Sequence, residues 1–504
     1  MQSFSKTPTN PWEVITMLIM LNQIALLSSF VRTVGKPELR CLFVADCLQL
    51  AAVLLLGGSP CLAAESPVSP PPEQAQAKRE TASPSQSPSA VGKDGNIWIR
   101  PTLTGDWFGL RSKMEDSGVT FSGRGTHFGF GIVGGINRPV PAPLGQGDAF
   151  DYTGRGEYDL TFDLDKLVGL PHGSLLVRAE HWFGQFGNVS LRTGTNPPAV
   201  FPTVLPPVAD EPGVPMLTSF FYTQPLSRQL VLFFGKREMV GAFDQDIFAG
   251  GDGTSHFVNQ GFIGSPTYLD ALPYSTVAMG AASPQDWGRA TIQVFDAKER
   301  SNEFMDLGTL FSKGLYVQGE VRVDTHFFDL PGEHHIGFVY KHLVRTLPVA
   351  GPAPPGELPP ASLQGTGTRH DSYTLYYGFD QYLFHYGEDS KRGWGIFGRA
   401  AIGDPSPSPL GSFVSFGIGG NSPFGRERGD TFGIGWYFAG VSSSVSPGQR
   451  LLLGQGSGNA VEVFYNIQVT PWLNVTPDFQ YLTPNASRIA NDSFLFGLRL
   501  NTQL

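Results

Sequence analysis

The sequence is dominated by a period of two. Near its end, Val461, Val463, Tyr465, Ile467 and Val469 take every second place, with Glu462, Phe464, Asn466 and Gln468 between them. Thr470-Pro471 interrupts the run. Then Leu473, Val475, Pro477, Phe479 and Tyr481 alternate with Asn474, Thr476, Asp478 and Gln480. Such alternation describes a strand with one apolar and one polar face. From Val119 onward about 16 segments of this kind follow one another. They start near Val119, Tyr152, Ser174, Leu217, Arg228, Pro273, Arg289, Lys313, His334, Ser372, Arg392, Ser412, Asp430, Asn459, Trp472 and Ser493. An even count of segments close to the ~9–11 residues that cross a bilayer at a tilt predicts a closed transmembrane barrel.

The connections sharpen this expectation. Every second one is long, at about 132–151, 184–216, 239–272, 298–312, 345–370, 403–411, 443–458 and 483–492. Most of the others are a few residues, such as Pro225-Leu226-Ser227 and Thr470-Pro471, and 421–429 fits this rhythm least well. Long external loops and short periplasmic turns produce this alternation in outer-membrane barrels, and a soluble sandwich has no reason to adopt it. The faces agree. Leu315, Val317, Gly319, Val321 and Val323 form an outward set, and Tyr316, Gln318, Glu320 and Arg322 an inward one. Thr153, Arg155, Glu157, Asp159, Thr161 and Asp163 are likewise inward. A charge on the lipid face would cost ~2–4 kcal/mol at mid-bilayer, so these groups are expected to line a lumen.

Composition fits many strands and tight turns. Glycine is 62 of 504 residues and charged residues are 16%, against a usual ~7% and ~25%. Cys41, Cys47 and Cys61 all lie before residue 65, as expected of an exported chain that avoids thiols. A basic flank (Lys36, Arg40), an apolar run at 48–56 and the small residues Ala63-Ala64 predict a cleaved signal peptide over residues 1–64. An earlier apolar stretch, 14–31, reads either as lying upstream of the true start or as a second targeting element. Residues 65–95 are rich in Pro, Ser and Ala and read as a periplasmic tether. Residues 96–118 predict a short helical segment, with Asp106 as cap, Trp107, Leu110, Arg111 and Met114 on it, and Gly118 at its end. Residues 119–504 are then the barrel. Without residues 1–64, which hold four Lys/Arg and three Asp/Glu, the chain carries 31 basic against 41 acidic residues. That balance, with no basic stripe, argues against a nucleic-acid partner.

Other motifs read as structure. Gly129-Phe130-Gly131-Ile132-Val133-Gly134 resembles a dinucleotide fingerprint but has no helix after it. His334-His335 and His342 have no Cys or acidic cluster at ligand spacing, so no metal or other cofactor is expected. No nucleophile–base–acid set is visible, so no catalytic residue is expected either.

Several motifs resemble the carbohydrate-selective porin family of the OprB type. They begin with Leu103-Thr104-Gly105-Asp106-Trp107, Gly109-Leu110-Arg111 and Gly118-Val119-Thr120-Phe121. Midway come Phe234-Gly235-Lys236, Phe243-Asp244-Gln245-Asp246 and Phe257-Val258-Asn259-Gln260. Asp380-Gln381, Gly417-Ile418-Gly419, Gln468-Val469-Thr470-Pro471-Trp472-Leu473 and Pro477-Asp478-Phe479-Gln480-Tyr481 complete the likeness, over about residues 100–504. The resemblance implies an all-β fold, a 16-stranded antiparallel transmembrane β-barrel with a short N-terminal helix, that passes sugars by passive diffusion. Two departures stand out. Such barrels usually end in an aromatic residue at the position read by the barrel assembly machinery, and this chain ends in Leu504. Arg237-Glu238-Met239 stands where the family commonly has an apolar and an acidic residue.

A sugar site needs rings for C–H faces and charged groups for hydroxyls. The connection at 239–272 is expected to fold into the lumen, bringing Phe243, Asp244, Asp246, Phe248, Asp252 and Phe257. Inward wall candidates are Arg155, Glu157, Arg178, Glu180, Trp182, Arg237, Glu320, Arg322 and Arg399. The plainer role for each is to solvate the lumen and pair with its neighbours. Lys236 has the opposite phase and is expected at the strand end, at the membrane interface. Expected partners are mono- or oligosaccharides, outer-membrane lipid and the assembly machinery. A homo-oligomer stays open, because an apolar lipid face gives a subunit interface no signature. Two other readings remain beside the sugar channel: a general channel or envelope-tethering barrel, and an outer-membrane barrel enzyme.

Overall fold

The structure is a computed structural model that describes residues 95–137, 148–185, 188–205, 214–269, 272–343, 371–387, 392–404, 410–424, 429–442 and 454–504. The expected signal peptide, the apolar stretch at 14–31 and nearly all of the tether lie outside the described residues. Among those described, no helix is long and apolar enough to cross a membrane.

Sixteen strands form one closed antiparallel barrel. They are β1 Val119–Ile136, β2 Phe150–Asp163, β3 Ser174–Gly184, β4 Met216–Ser227, β5 Leu230–Glu238, β6 Ser275–Gln285, β7 Gly288–Asp296 and β8 Gly314–Phe327. The circuit continues with β9 Leu330–Leu343, β10 Asp371–His385, β11 Gly393–Gly403, β12 Leu410–Asn421, β13 Thr431–Val441, β14 Gly458–Thr470, β15 Leu473–Thr483 and β16 Ala490–Gln503. Each strand pairs with its neighbours in sequence, and β1 pairs with β16 to close the sheet. Closure removes the unpaired edge that hydrocarbon would not tolerate.

The expected strand starts fall within a few residues of these. β9 differs most, beginning at Leu330 rather than near His334. Pro331 and Gly332 hide the alternation there. The turn Phe328-Asp329, with φ of 59° and 60°, nevertheless forces Phe327 opposite Leu330. Two successive left-handed residues make the tight hairpin whose twist suits antiparallel strands.

The alternation sorts the two faces as read. Along β13, Ile434 and Trp436 are 45% and 43% exposed on the outer wall, while Gly433, Gly435 and Tyr437 face inward. Tyr316, Gln318, Glu320 and Arg322 of β8 are all buried inside.

The N-terminal helix α1, Leu110–Asp116, starts later than the expected Trp107. Trp107, Phe108 and Gly109 are all left-handed, with φ of 51°, 59° and 86°, which bars a helical turn there. Asp106 still caps the helix from a distance. Its Oδ1 accepts from the Ser112 backbone N–H at 2.8 Å. The segment sits on the closing seam, where Leu103 N–H donates to the Gln503 carbonyl and Arg111 Nη2 to the Leu504 carbonyl at 2.9 Å.

The connection after β7 folds over the outside of the wall. Lys236 has the outward phase, as expected, but it is fully buried rather than lying at an interface. Its Nζ donates to the carbonyls of Leu217 (2.5 Å), Glu303 (2.5 Å) and Ser301 (3.4 Å). Val277, paired with Lys236 across the strands, is covered too. A buried Asp296–Arg300 ion pair at 2.5 Å and Phe304 against Phe220 fix this lap. The connection after β5 does the opposite and enters the barrel.

Candidate functional site

That inward connection, described over 239–269 and 272–274, is fastened to the lumen wall on three sides. On the first, Asp244 Oδ1 accepts from Arg399 Nε of β11 at 2.8 Å and lies 3.0 Å from His335 Nε2 of β9. Its Oδ2 accepts from Ser265 N–H at 2.7 Å. Burial alone would raise the Asp244 carboxyl. Arg399, His335 and Ser265 outweigh burial and hold it at about 2. Asp246 adds a second carboxylate to Arg399 at 2.5 Å, and Asp380 of β10 accepts the N–H groups of Ile247 and Phe248.

On the second side, Asp252 meets Arg124 of β1 at 2.8 Å and Arg155 of β2 at 3.2 Å. Burial works against its charge, but Arg124, Arg155 and Thr254 leave it far below the usual carboxylate range. Arg155 is fully enclosed. It meets Glu180 at 3.2 Å and Glu157 at 3.3 Å, donates to Tyr274 Oη at 2.7 Å and stacks over Trp182. Arg178 completes this patch, bridging Asp159 at 2.7 Å and Glu238 at 2.9 Å.

On the third side, Glu462 of β14 accepts the Val258 and Asn259 N–H groups at 2.7 and 3.0 Å. Arg499 of β16 donates to the carbonyls of Gly253, Ser255 and His256. The His256 imidazole is pushed down to about 4, by burial first and by Arg499 beside it second.

Rings complete the fit. A Cβ at Gly435 would collide with Phe262, and one at Gly395 with Phe248. Gly395, Gly433 and Gly435 are therefore sockets for Phe248, Phe257 and Phe262 of the connection. Phe257 packs among Phe262, Phe464 and Phe397, with centroids 4.5, 4.9 and 5.5 Å away.

Beside these fixings a cleft lies against the wall formed by β4 to β8. Phe221 and Thr223 of β4, Phe233 and Arg237 of β5, Arg289, Thr291 and Gln293 of β7 and Glu320 of β8 line it, with Ala242 and Phe243 of the connection on the other side. It holds a cavity of about 40 Å³ and opens to solvent. The small inward residues Ala278, Gly280 and Ala282 of β6 set the wall back at this point.

Of the residues singled out in the sequence, Arg237, Phe243 and Glu320 line this cleft. Arg155, Glu157, Arg178, Glu180, Trp182, Asp244, Asp246, Phe257, Arg322 and Arg399 instead belong to the fastenings, as do Phe248 and Asp252. Phe221, Phe233, Arg289 and Gln293 were not singled out, although all carry the inward phase. Phase alone does not say on which side the connection lies. His334 and His335 point to opposite faces, His334 to Tyr377 outside and His335 to Asp244 inside, so they cannot share an ion.

A family model for the carbohydrate-selective porins of the OprB family matches residues 148–504, from β2 to the end of the chain. The chain belongs to the OprB family. Porin B of Pseudomonas aeruginosa (strain PAO1) is 23% identical over 195 residues, which cover 34% of this chain and 41% of Porin B. The match thus spans less than half of that relative. The high-pH structure of Pseudomonas putida OprB superposes with a TM-score of 0.63 at 19% identity, covering 81% of this chain and 99% of that one. It shares the barrel fold. The OprB family and this fold are those of porins, which are channels rather than enzymes.

Proposed function

We propose that this protein is an outer-membrane porin through which sugars diffuse passively. One observation carries the reading. The inward connection borders a cleft where Phe221, Phe233 and Phe243 offer rings and Arg237, Arg289, Thr291 and Gln293 offer hydrogen-bonding groups. A sugar presents both surfaces, apolar C–H faces and a rim of hydroxyls. Passage requires that such contacts stay weak enough to break. Membership of the OprB family supports the same cargo.

The reading includes export through a signal peptide cut near Ala63-Ala64 and residence in the outer membrane of a Gram-negative bacterium. It also includes insertion by the barrel assembly machinery and residues 65–95 as a periplasmic tether.

Detergent-purified protein in planar bilayers tests it. We expect small, steady conductance that falls when glucose or a short oligosaccharide is added. Conductance indifferent to every sugar would leave a general channel, and no conductance would remove the porin reading. A tethering barrel would instead give envelope defects with normal sugar uptake when 65–93 are deleted.

A further inference from the structure

Arg237 differs from five other inward arginines around the inward connection. Arg124, Arg155, Arg178, Arg322 and Arg399 each bind at least one carboxylate within 3.3 Å. Arg237 has its Nε 3.4 Å from the Glu238 carbonyl and lies over the Phe221 ring at 4.7 Å. Among the described residues no carboxylate stands within ion-pair distance of it. Its neighbour Glu238 turns away to Arg178. The carboxylate that lines the cleft, Glu320, is fully engaged. Its Oε1 accepts from Arg322 at 2.7 Å, and its Oε2 from Asp244 N–H and Tyr376 Oη, both at 2.9 Å.

A second observation points the same way. Gln293 lines the cleft and is 1% exposed, yet neither atom of its amide has a hydrogen-bond partner among the described residues. A buried side chain with both polar atoms unsatisfied is costly unless something supplies the partner. The cleft therefore presents an unclaimed guanidinium fork, held against a ring, and an unclaimed amide, with no carboxylate oxygen to spare.

We propose that the cleft prefers monosaccharides that carry a carboxylate over their neutral counterparts, with Arg237 as the residue that selects them. The guanidinium fork matches a carboxylate through two parallel hydrogen bonds, which are roughly twice as strong as neutral ones. Stacking on Phe221 fixes the plane of that fork before the solute arrives. Phe233 and Phe243 would receive the sugar's C–H face, and Gln293 and Thr291 its hydroxyls. Of the acidic groups elsewhere in the lumen, Asp244, Asp252, Glu157 and Glu180 each already face an arginine. The inference rests on the porin reading and narrows its cargo.

Glucose and glucuronate give the cleanest comparison, since they differ only at C6, a hydroxymethyl against a carboxylate. Proteoliposome uptake of each is measured at low solute concentration and low salt, for the wild type, Arg237→Gln and Arg237→Lys. We expect the wild type to take up glucuronate faster by about fivefold, the factor given by one unit charge about 4 Å away in water. Arg237→Gln should bring the ratio to about one, and Arg237→Lys, a point charge without the fork, should fall between. Glucose uptake with a wild-type ratio at or below one overturns this inference and leaves the porin reading standing. A preference that survives in both variants removes Arg237 from the role. Failure to pass either sugar, with no conductance, overturns the porin reading and this inference with it.

Discussion

Asp244→Asn isolates the charge that holds the inward connection. Asp244 is fully buried and has a left-handed backbone, φ 53°, which asparagine adopts as readily as aspartate. The change therefore keeps shape and backbone and removes only the anion. Asp244 Oδ1 meets both Arg399 Nε and His335 Nε2, and its Oδ2 meets the Ser265 N–H and Tyr268 Oη. An amide has one oxygen, so one of these sides would face an NH2 group. Breaking a buried pair costs about 3–5 kcal/mol, and Asp246 stays on Arg399, so about 3 kcal/mol is expected. That shifts the balance between seated and released connection by roughly a hundredfold. Single-channel recording is the assay. Asp244→Asn should raise mean conductance and open-channel noise, while the barrel's mobility change on heating, which reports the strand ladder, stays as in the wild type. The carboxyl is held at about 2, against ~3.9 when released. Its contribution is thus complete above pH ~3.9 and lost only as pH falls through about 2. The Asp244 carboxyl itself therefore adds no pH dependence between pH 5 and 8. Identical current amplitude and noise in the two proteins would refute the idea that Asp244 pins the connection.

Three further tests probe the other fastenings. His256 sits at about 4 against ~6.5 when released, so the seated connection binds fewer protons and loses stability as pH falls below ~6.5. The loss reaches about 2 kcal/mol at pH 5 and is complete near 4. Open-channel noise should rise between pH 7 and 5 in the wild type and not in His256→Asn, and a flat wild-type profile would refute the assignment. Arg155→Ala leaves Glu157, Glu180 and Asp252 around an emptied cation site, and about 3–5 kcal/mol should be lost, seen as a lower temperature for the heat-induced mobility change. Lys236→Met strips the cation from three carbonyls on the outer wall, and should expose 297–313 to added protease while conductance stays unchanged. Protease resistance equal to wild type would mean that the lap holds without Lys236.

The barrel was legible because one rule acts on every strand. A period of two put Ile434 and Trp436 outside and Glu320 and Arg322 inside with no knowledge of the neighbours. Lys236 shows the limit of that rule. Its outward phase is correct, yet burial and three carbonyl partners come from a connection some 65 residues further on, and no local signal announces that chain folding back over the wall.

The inward charges show the same limit more sharply. Arg155, Arg237 and Arg399 have the same phase and residue type, but two clamp the connection and one faces open space. What separates them is the path of 239–274, and that path is set by fits such as Phe262 against Gly435 and Phe248 against Gly395. Each fit joins residues far apart in sequence, and glycine in a strand looks the same whether it receives a ring or leaves a gap. Once the path is known, acids can be counted around each arginine. A guanidinium that the protein has already neutralised is part of the wall. One left without an acid, beside an amide left without a partner, is where the wall ends and the solute begins.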